Sequence, residues 1–390
     1  MTDNNQSLLK DRNMLVIFGI TLSAVMGVSS IAPALPTIAR ELEISTEQIG
    51  LLITVFTLPG IFLTPVLGVL ADRTGRKRIL IPSLILFGVA GILCGFSNNF
   101  NQLLWLRFLQ GTGAAALGTL NVTLIGDLFS GNRRATAMGY NGGVLSIGTA
   151  SYPAVGGALA LIGWNYPFFL SALAIPVGIY AMFALKTAPL EKGTRLSSYF
   201  GNVFKALKSW KVAGLFASIF LTFFILYGGY ITFFPILLDD KFGISSLVIG
   251  IFLSSTSILT GITSTQLGGL TKRFAEQGLI LTGSILYFLI FLVIPFIDSL
   301  YFLLIPIAFY GMAQGLNIPS ILNLLTSRVP ADIRAAFLSV NWMIMRCGQT
   351  IAPFLLGLVY LYGGVNGTFF ATAFAALLFV IIAAMLYKWK

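Results

Sequence analysis

Gly68-Val69-Leu70-Ala71-Asp72-Arg73-Thr74-Gly75-Arg76-Lys77-Arg78 sets five charged residues between two long apolar runs, in a chain of which only 9% is charged. The glycines allow a tight reversal and a close approach of helices. Asp72 is placed to pair with a basic residue or to accept bonds from a helix N-terminus at a membrane edge. The runs on either side set the class of protein. Of 390 residues, 57% are hydrophobic and 13% aromatic, and the mean hydropathy is +0.91. Soluble domains carry about 25% charged residues, so this chain cannot cover a water-facing surface. It reads as a polytopic, all-α membrane protein. There is no His, and the two Cys, Cys94 and Cys347, lie in apolar runs. That excludes His-based triads, His-containing zinc sites and a disulfide framework. No metal site, cofactor or enzymatic nucleophile–base pair is expected.

Outward from the loop, apolar stretches long enough to cross roughly 30 Å of hydrocarbon recur. They fall near 14–36, 48–71, 79–98, 103–126, 135–162, 165–186, 212–238, 246–270, 278–297, 300–326, 335–361 and 366–387, which predicts twelve spans. The first is too long for a signal-peptide core, so it is kept as a span behind a polar leader, 1–13. With an even span count, 20 of the 24 basic residues fall on the face shared by both termini. Arg40 and Lys241 lie on the other face, and Arg107 and Arg346 lie within spans. The positive-inside rule then makes both termini cytoplasmic, in a multi-pass cell (cytoplasmic) membrane protein. The net charge of +11 is thus a topology signal; no nucleic-acid partner is implied.

The chain also repeats. With a constant offset of 200 residues, Ile49-Gly50 matches Ile249-Gly250, Leu67-Gly68 matches Leu267-Gly268, and Arg73 matches Arg273. The register continues through Gly111/Gly311, Arg134/Arg334, Asn141/Asn341, Gly148/Gly348 and Pro153/Pro353. An unbroken register over more than 100 residues predicts two equivalent six-helix bundles, 1–186 and 212–390, joined by a polar cytoplasmic linker, 187–211. In such repeats the substrate site lies between the halves near the midplane, and one half rocks against the other.

The 68–78 loop resembles the signature loop of the major facilitator superfamily, G-x-L-x-D-R-x-G-R-[KR]. Two further stretches resemble that superfamily. Arg107-Phe108-Leu109-Gln110-Gly111-Thr112-Gly113-Ala114-Ala115 is similar to its R-x-x-Q-G-x-G-A-A motif. Gly148-Thr149-Ala150-Ser151-Tyr152-Pro153-Ala154-Val155-Gly156-Gly157 is similar to the antiporter motif of its exporters, with Tyr152 where the second glycine belongs. The resemblance covers essentially the whole chain and points to the twelve-span drug:proton antiporter (multidrug efflux) group. It implies a cytoplasmic gating network of Gly68, Asp72, Arg73, Gly75, Arg76, Asp127, Arg134 and Arg334. It also implies a bend shaped by Gly148, Pro153, Gly156 and Gly157, and a role for Arg107 in coupling to protons. The second-half counterpart of the loop has Lys272 where Asp72 stands, so the latch is expected to be degenerate there.

The residues themselves nominate a cavity. Arg107, Gly111, Ala114, Gly118 and Asn121 share one helical face, as do Trp342, Arg346, Gln349 and Pro353. An arginine within a span is costly and functional by default. Asn121, Asn141, Tyr227, Tyr230, Gln314 and Asn317 supply amide and aromatic groups and, with Arg107, Trp342, Arg346 and Gln349, make up the expected substrate cavity. Many drug:proton antiporters hold a carboxylate in the first span; Gly19 to Ser30 contains none, and all 13 acids fall in loops or at helix ends. Proton coupling would therefore run through Asp72, Asp127, an edge acid such as Asp239, or the substrate. A cavity with two arginines and no acid favours a neutral or anionic amphiphile over a lipophilic cation. The expected function is secondary active efflux by alternating access, with protons and a small-molecule substrate as partners, by a monomer in the bilayer. A sugar, peptide or siderophore exporter, an uncoupled facilitator, and a non-transporting receptor or scaffold are the alternatives.

Overall fold

The computed structural model describes residues 8–186, 209–327 and 334–388, with side chains from 340 onward in the last segment. Among these residues every regular element is helical. The helices are α1 (Arg12–Glu41), α2 (Thr46–Thr74), α3 (Arg76–Cys94), α4 (Phe100–Leu128), α5 (Gly131–Ala160), α6 (Tyr166–Ala184), α7 (Trp210–Phe242), α8 (Ser246–Leu270), α9 (Glu276–Phe296), α10 (Leu304–Ser327) and α11 (Arg334–Lys388). The outer surface is greasy: Phe183 and Tyr362 are 83% and 94% exposed. Such a belt is stable only against lipid, and the protein is a multi-pass membrane protein.

Among the described residues, nine helical stretches are long and apolar enough to cross a membrane, against twelve expected. The difference has physical causes. The stretch Val340–Lys388 holds both of the last two expected spans, which meet at Gly364, whose φ of 58° and ψ of −161° break the helix. Helices α5 and α10, with 30 and 24 residues, have the length but not the hydropathy. α5 is rich in Gly, Ser and Thr, and α10 carries Gln314, Asn317 and Ser320. The expected linker, 187–211, lies almost wholly outside the described residues, as does the side chain of Arg334.

Local sequence shapes the helices where it matters. In α1, Pro33 opens a turn of 3-10 helix, Ala32–Ala34. Just before it, Ile31 donates to the carbonyl of Val28 rather than to that of Gly27. In α7, Ile225–Phe233 winds as a π-helix. Pro235 has no N–H for the preceding turn, and the Thr232 hydroxyl donates to the Tyr227 carbonyl, 2.6 Å away. Gly228 and Gly229 let this widened segment lie against Ala352 and Leu356 on one side and Thr372 and Phe291 on the other.

The 200-residue register reappears as packing. A Cβ on Gly111 would meet the carbonyl of Phe56, and one on Gly311 would meet that of Thr256. Thr64 donates to the carbonyl of Ala115 at 3.0 Å, and Ser264 to that of Gly315 at 3.4 Å. Between the halves the same register makes two crossings. In α2/α11 a Cβ on Gly50 would stand 2.6 Å from the Pro353 oxygen; in α8/α5 a Cβ on Gly250 would meet the Pro153 oxygen. Hydroxyls tie each crossing: Thr54 to the Thr350 carbonyl at 2.9 Å, and the Ala154 amide to Ser254 Oγ at 3.1 Å.

Substitution should separate filled from open glycine sites. Gly50→Val inserts carbon against a backbone oxygen that cannot retreat and should cost about 1–3 kcal/mol. Gly142→Ala, which faces open space, should leave stability unchanged or raised by ~0.5–1 kcal/mol. Thermal unfolding of the detergent-solubilised variants checks both.

Candidate substrate cleft and gating network

The two crossings close one end of the protein. Besides Gly50 and Gly250, Gly156 lies on the Ser30 carbonyl, Gly157 on that of Ser246, and Gly357 on that of Glu47. Ser246 Oγ donates to the Gly157 carbonyl at 3.1 Å. At this same end Arg40 of α1 pairs with Asp239 of α7, while Lys241 pairs with Asp298 at 2.8 Å. Two of the four expected bend residues, Pro153 and Gly157, are thus seam contacts, while Gly156 packs on Ser30 and Gly148 on Leu22 and Val25, all of α1. Only glycine permits these carbonyl contacts, because any Cβ would occupy the oxygen's position.

The other end is different. Positions Gly68, Gly139, Gly142, Gly143, Gly268 and Gly269 have nothing within 4 Å of where a Cβ would stand. This end carries the 68–78 loop, in which Gly75 takes φ +105° to turn from α2 into α3. Arg76 sits between two acids, bonding Asp72 at 2.8 Å and also pairing with Asp127 at the end of α4. Arg134 lies against Gly126, and Lys77 reaches the Leu185 carbonyl at 3.5 Å. Of the residues expected in the network, Asp72, Arg76 and Asp127 are bonded to one another, joining α2, α3 and α4. None of the described ion pairs at this end crosses to the second half.

Between the ends lies the cleft. On the first-half wall, the Thr21 hydroxyl joins the two expected amides: Asn121 donates to it, and it bonds Asn141. Trp342 of α11 lies over Gly118, whose Cβ would stand 3.5 Å from the indole. One turn on, the Arg346 chain passes across α2 at Gly60, with 3.0 Å between its Cδ and a Cβ there. Arg346 Nη1 donates to Gln349 Oε1 at 3.0 Å, and Tyr227 of α7 lies beside Phe223, with ring centroids 6.3 Å apart. Trp342 and Arg346 thus cross the seam between the halves, with Gln349 bonded to Arg346 and the Asn121–Thr21–Asn141 cluster in the first half. Arg346 is about 10 Å along α11 from Pro353, so it sits beneath the closed crossing, toward the open end.

The other expected cavity residues are placed elsewhere. Arg107 is 1% exposed and enclosed within the first half. It donates to the carbonyls of Gly27 at 2.9 Å and Leu52 at 3.2 Å, and to Gln110 at 2.7 Å, under the Phe56 ring face at 4.1 Å. Gln110 in turn bonds Ser171 at 2.8 Å. The shared face read from the sequence is real, but its upper part points at α1, α2 and α6 rather than at the seam. Arg107 pins those helices together, using the Gly27 carbonyl that Ile31 leaves by donating to Val28. In the second half, Tyr230 stacks on Tyr310 and bonds Thr256, Gln314 donates to Tyr310 at 3.0 Å, and Asn317 fills the space beside Gly283. These three are core residues of their own bundle.

Sequence reasoning missed Gly60, Thr21, Thr54, Thr350, Ser254 and the Arg40–Asp239 pair. The repeat carried a signal for part of this: Gly50/Gly250 and Pro153/Pro353 were matched pairs, and each glycine packs on the proline of the opposite half.

Comparison with known proteins agrees with this architecture. The family model described as Major Facilitator Superfamily matches residues 17–240 and again 215–390. The chain is 26% identical to the bacillibactin exporter of Bacillus subtilis (strain 168) over 341 residues, 82% of this chain and 83% of that one. It is also 26% identical to multidrug resistance protein 1 of the same organism, over 98% and 97% of the two chains. Among solved structures, an inward-facing, unoccupied bacterial homologue of the human lysosomal transporter Spinster superposes with a TM-score of 0.80, at 17% identity over 99% and 97% of the chains. The chain belongs to the Major Facilitator Superfamily.

Proposed function

We propose that this protein exports an amphiphilic small molecule from the cytoplasm by alternating access, in exchange for protons. The observation that carries the reading is the asymmetry of the seam. Two crossings related by the internal repeat close one end, while the glycines at the other end face open space around a polar cleft. The open end holds the basic loops, so the positive-inside rule makes it cytoplasmic, with both termini on that side. The resting form is then inward-open, ready to load from the cell interior. Resemblance to a bacillibactin exporter and a multidrug resistance protein supports export over import.

Each bundle, 1–186 and 212–390, moves as a unit in this reading, and 187–211 tethers them. Arg107 serves rigidity in the first bundle, and the Asp72–Arg76–Asp127 cluster holds the cytoplasmic ends of α2, α3 and α4 together for closure. No carboxylate lies in the cleft, so proton coupling uses the acids at the two ends or the substrate. An uncoupled facilitator is the second reading, favoured by that same lack of an embedded acid.

Two measurements test this. In inside-out proteoliposomes, an imposed acid-interior gradient should drive accumulation of a substrate found from a panel that includes siderophores and tetracyclines, and a protonophore should abolish it. Downhill flux indifferent to the gradient would leave a facilitator; no flux for any compound would leave a receptor or scaffold. Second, Asp127→Asn removes one of the two acids held by Arg76 and should lower the transport rate by roughly fivefold, about 1 kcal/mol, with substrate binding unchanged.

A further inference from the structure

Two arginines lie within the spans, and their bonding is opposite. Arg107 has its guanidinium occupied by two backbone carbonyls, an amide oxygen and an aromatic face. Arg346 has one side-chain partner among the described residues, the neutral oxygen of Gln349, and no carboxylate pairs with it. A charge near the bilayer midplane without a counter-ion costs several kcal/mol. Where the chain needs an arginine only for packing, at position 107, it surrounds the charge with acceptors. At 346 it leaves donors facing the cleft.

The surroundings fix the arginine in place. Gly60 keeps α2 clear of the arginine stem, and any Cβ there would press on its Cδ and Nε at 3.0 Å. Gln349 holds one edge of the guanidinium, which fixes the direction of the rest. Tyr227 belongs to the π-helical segment of α7, and Trp342 lies one turn before Arg346 on α11. A planar guanidinium held along one edge by Gln349 at the seam fits an oxyanion attached to an apolar body.

We propose that Arg346 and Gln349 form a subsite for the anionic head group of the transported amphiphile, a carboxylate or sulfonate, with Tyr227 and Trp342 against its apolar body. The assignment rests on the transport reading above for its purpose but not for its test. It also links binding to movement. With the cleft empty, closure of the open end would bury an uncompensated guanidinium in a low-dielectric seam; an anion neutralises it. The loaded carrier therefore reorients more readily than the empty one.

The test is equilibrium binding to the full-length protein in nanodiscs of neutral lipid. The probes are 1-pyrenebutyrate, its neutral methyl ester, and a pyrenylbutyl-trimethylammonium cation, each read by energy transfer from protein tryptophan, with discs lacking the protein correcting for lipid partitioning. The anion should bind wild type roughly 10- to 150-fold tighter than the ester, the range expected for a charge-assisted hydrogen bond. R346Q should bring anion and ester to equal affinity, and R346K should keep part of the difference. Wild type binding the ester or the cation as tightly as the anion overturns the subsite, whether or not R346Q folds. So does R346Q binding the anion as well as wild type. An anion preference in a protein that moves no substrate would overturn the transport reading and leave the subsite standing.

Discussion

Backbone-to-backbone contact between the halves is the constraint on which the rest of the structure depends. In a bilayer there is no hydrophobic gain from joining one apolar helix to another, so helices associate through close packing and hydrogen bonds. Here that means Gly50 on Pro353 and Gly250 on Pro153, each tied by a hydroxyl from Thr54 or Ser254. The contact sets glycines on carbonyl oxygens and adds a few hydroxyl bonds. It fixes where α11 crosses α2, and hence where Trp342 and Arg346 enter the seam. The open end follows from the same geometry, because helices crossed tightly near one end diverge toward the other.

The charges are distributed to suit that arrangement. Ion pairs stand at the two ends, Arg40–Asp239 at the closed one and Asp72–Arg76–Asp127 at the open one. The first links the halves through α1 and α7; the second stiffens one half. Arg107 stiffens the same half from within, bonding α1 and α2 and, through Gln110, α6. A first bundle held this firmly can move as one body, which rocking about a seam requires. Arg346 stands apart as the charge left for a ligand.

Most of the architecture was legible in the sequence because periodicity and repetition report on it directly. Apolar run length, the 68–78 loop and the 200-residue register identified the fold, and matched glycines and prolines marked the seam. The count of spans was less visible in hydropathy, because α5 and α10 are polar for reasons of packing and α11 turns at one glycine. Periodicity groups residues on a face but does not say which neighbour the face meets. That is why Arg107, Tyr230, Gln314 and Asn317 were grouped with Arg346, although they belong to bundle interiors. It is also why Gly60, an ordinary glycine in an apolar helix, carried no signal until Arg346 was seen to lie across it.

Distances at both ends of the seam, measured together, test the account most directly. Spin-label pairs at Ser45 with Ser245, beside the closed crossings, and at Gly139 with Gly269, in the open region, would report the two ends of one pivot. With substrate added under an imposed proton gradient, the account predicts that the Gly139–Gly269 distance falls as the Ser45–Ser245 distance rises. Two distributions that stay fixed, or that lengthen or shorten together, would contradict it.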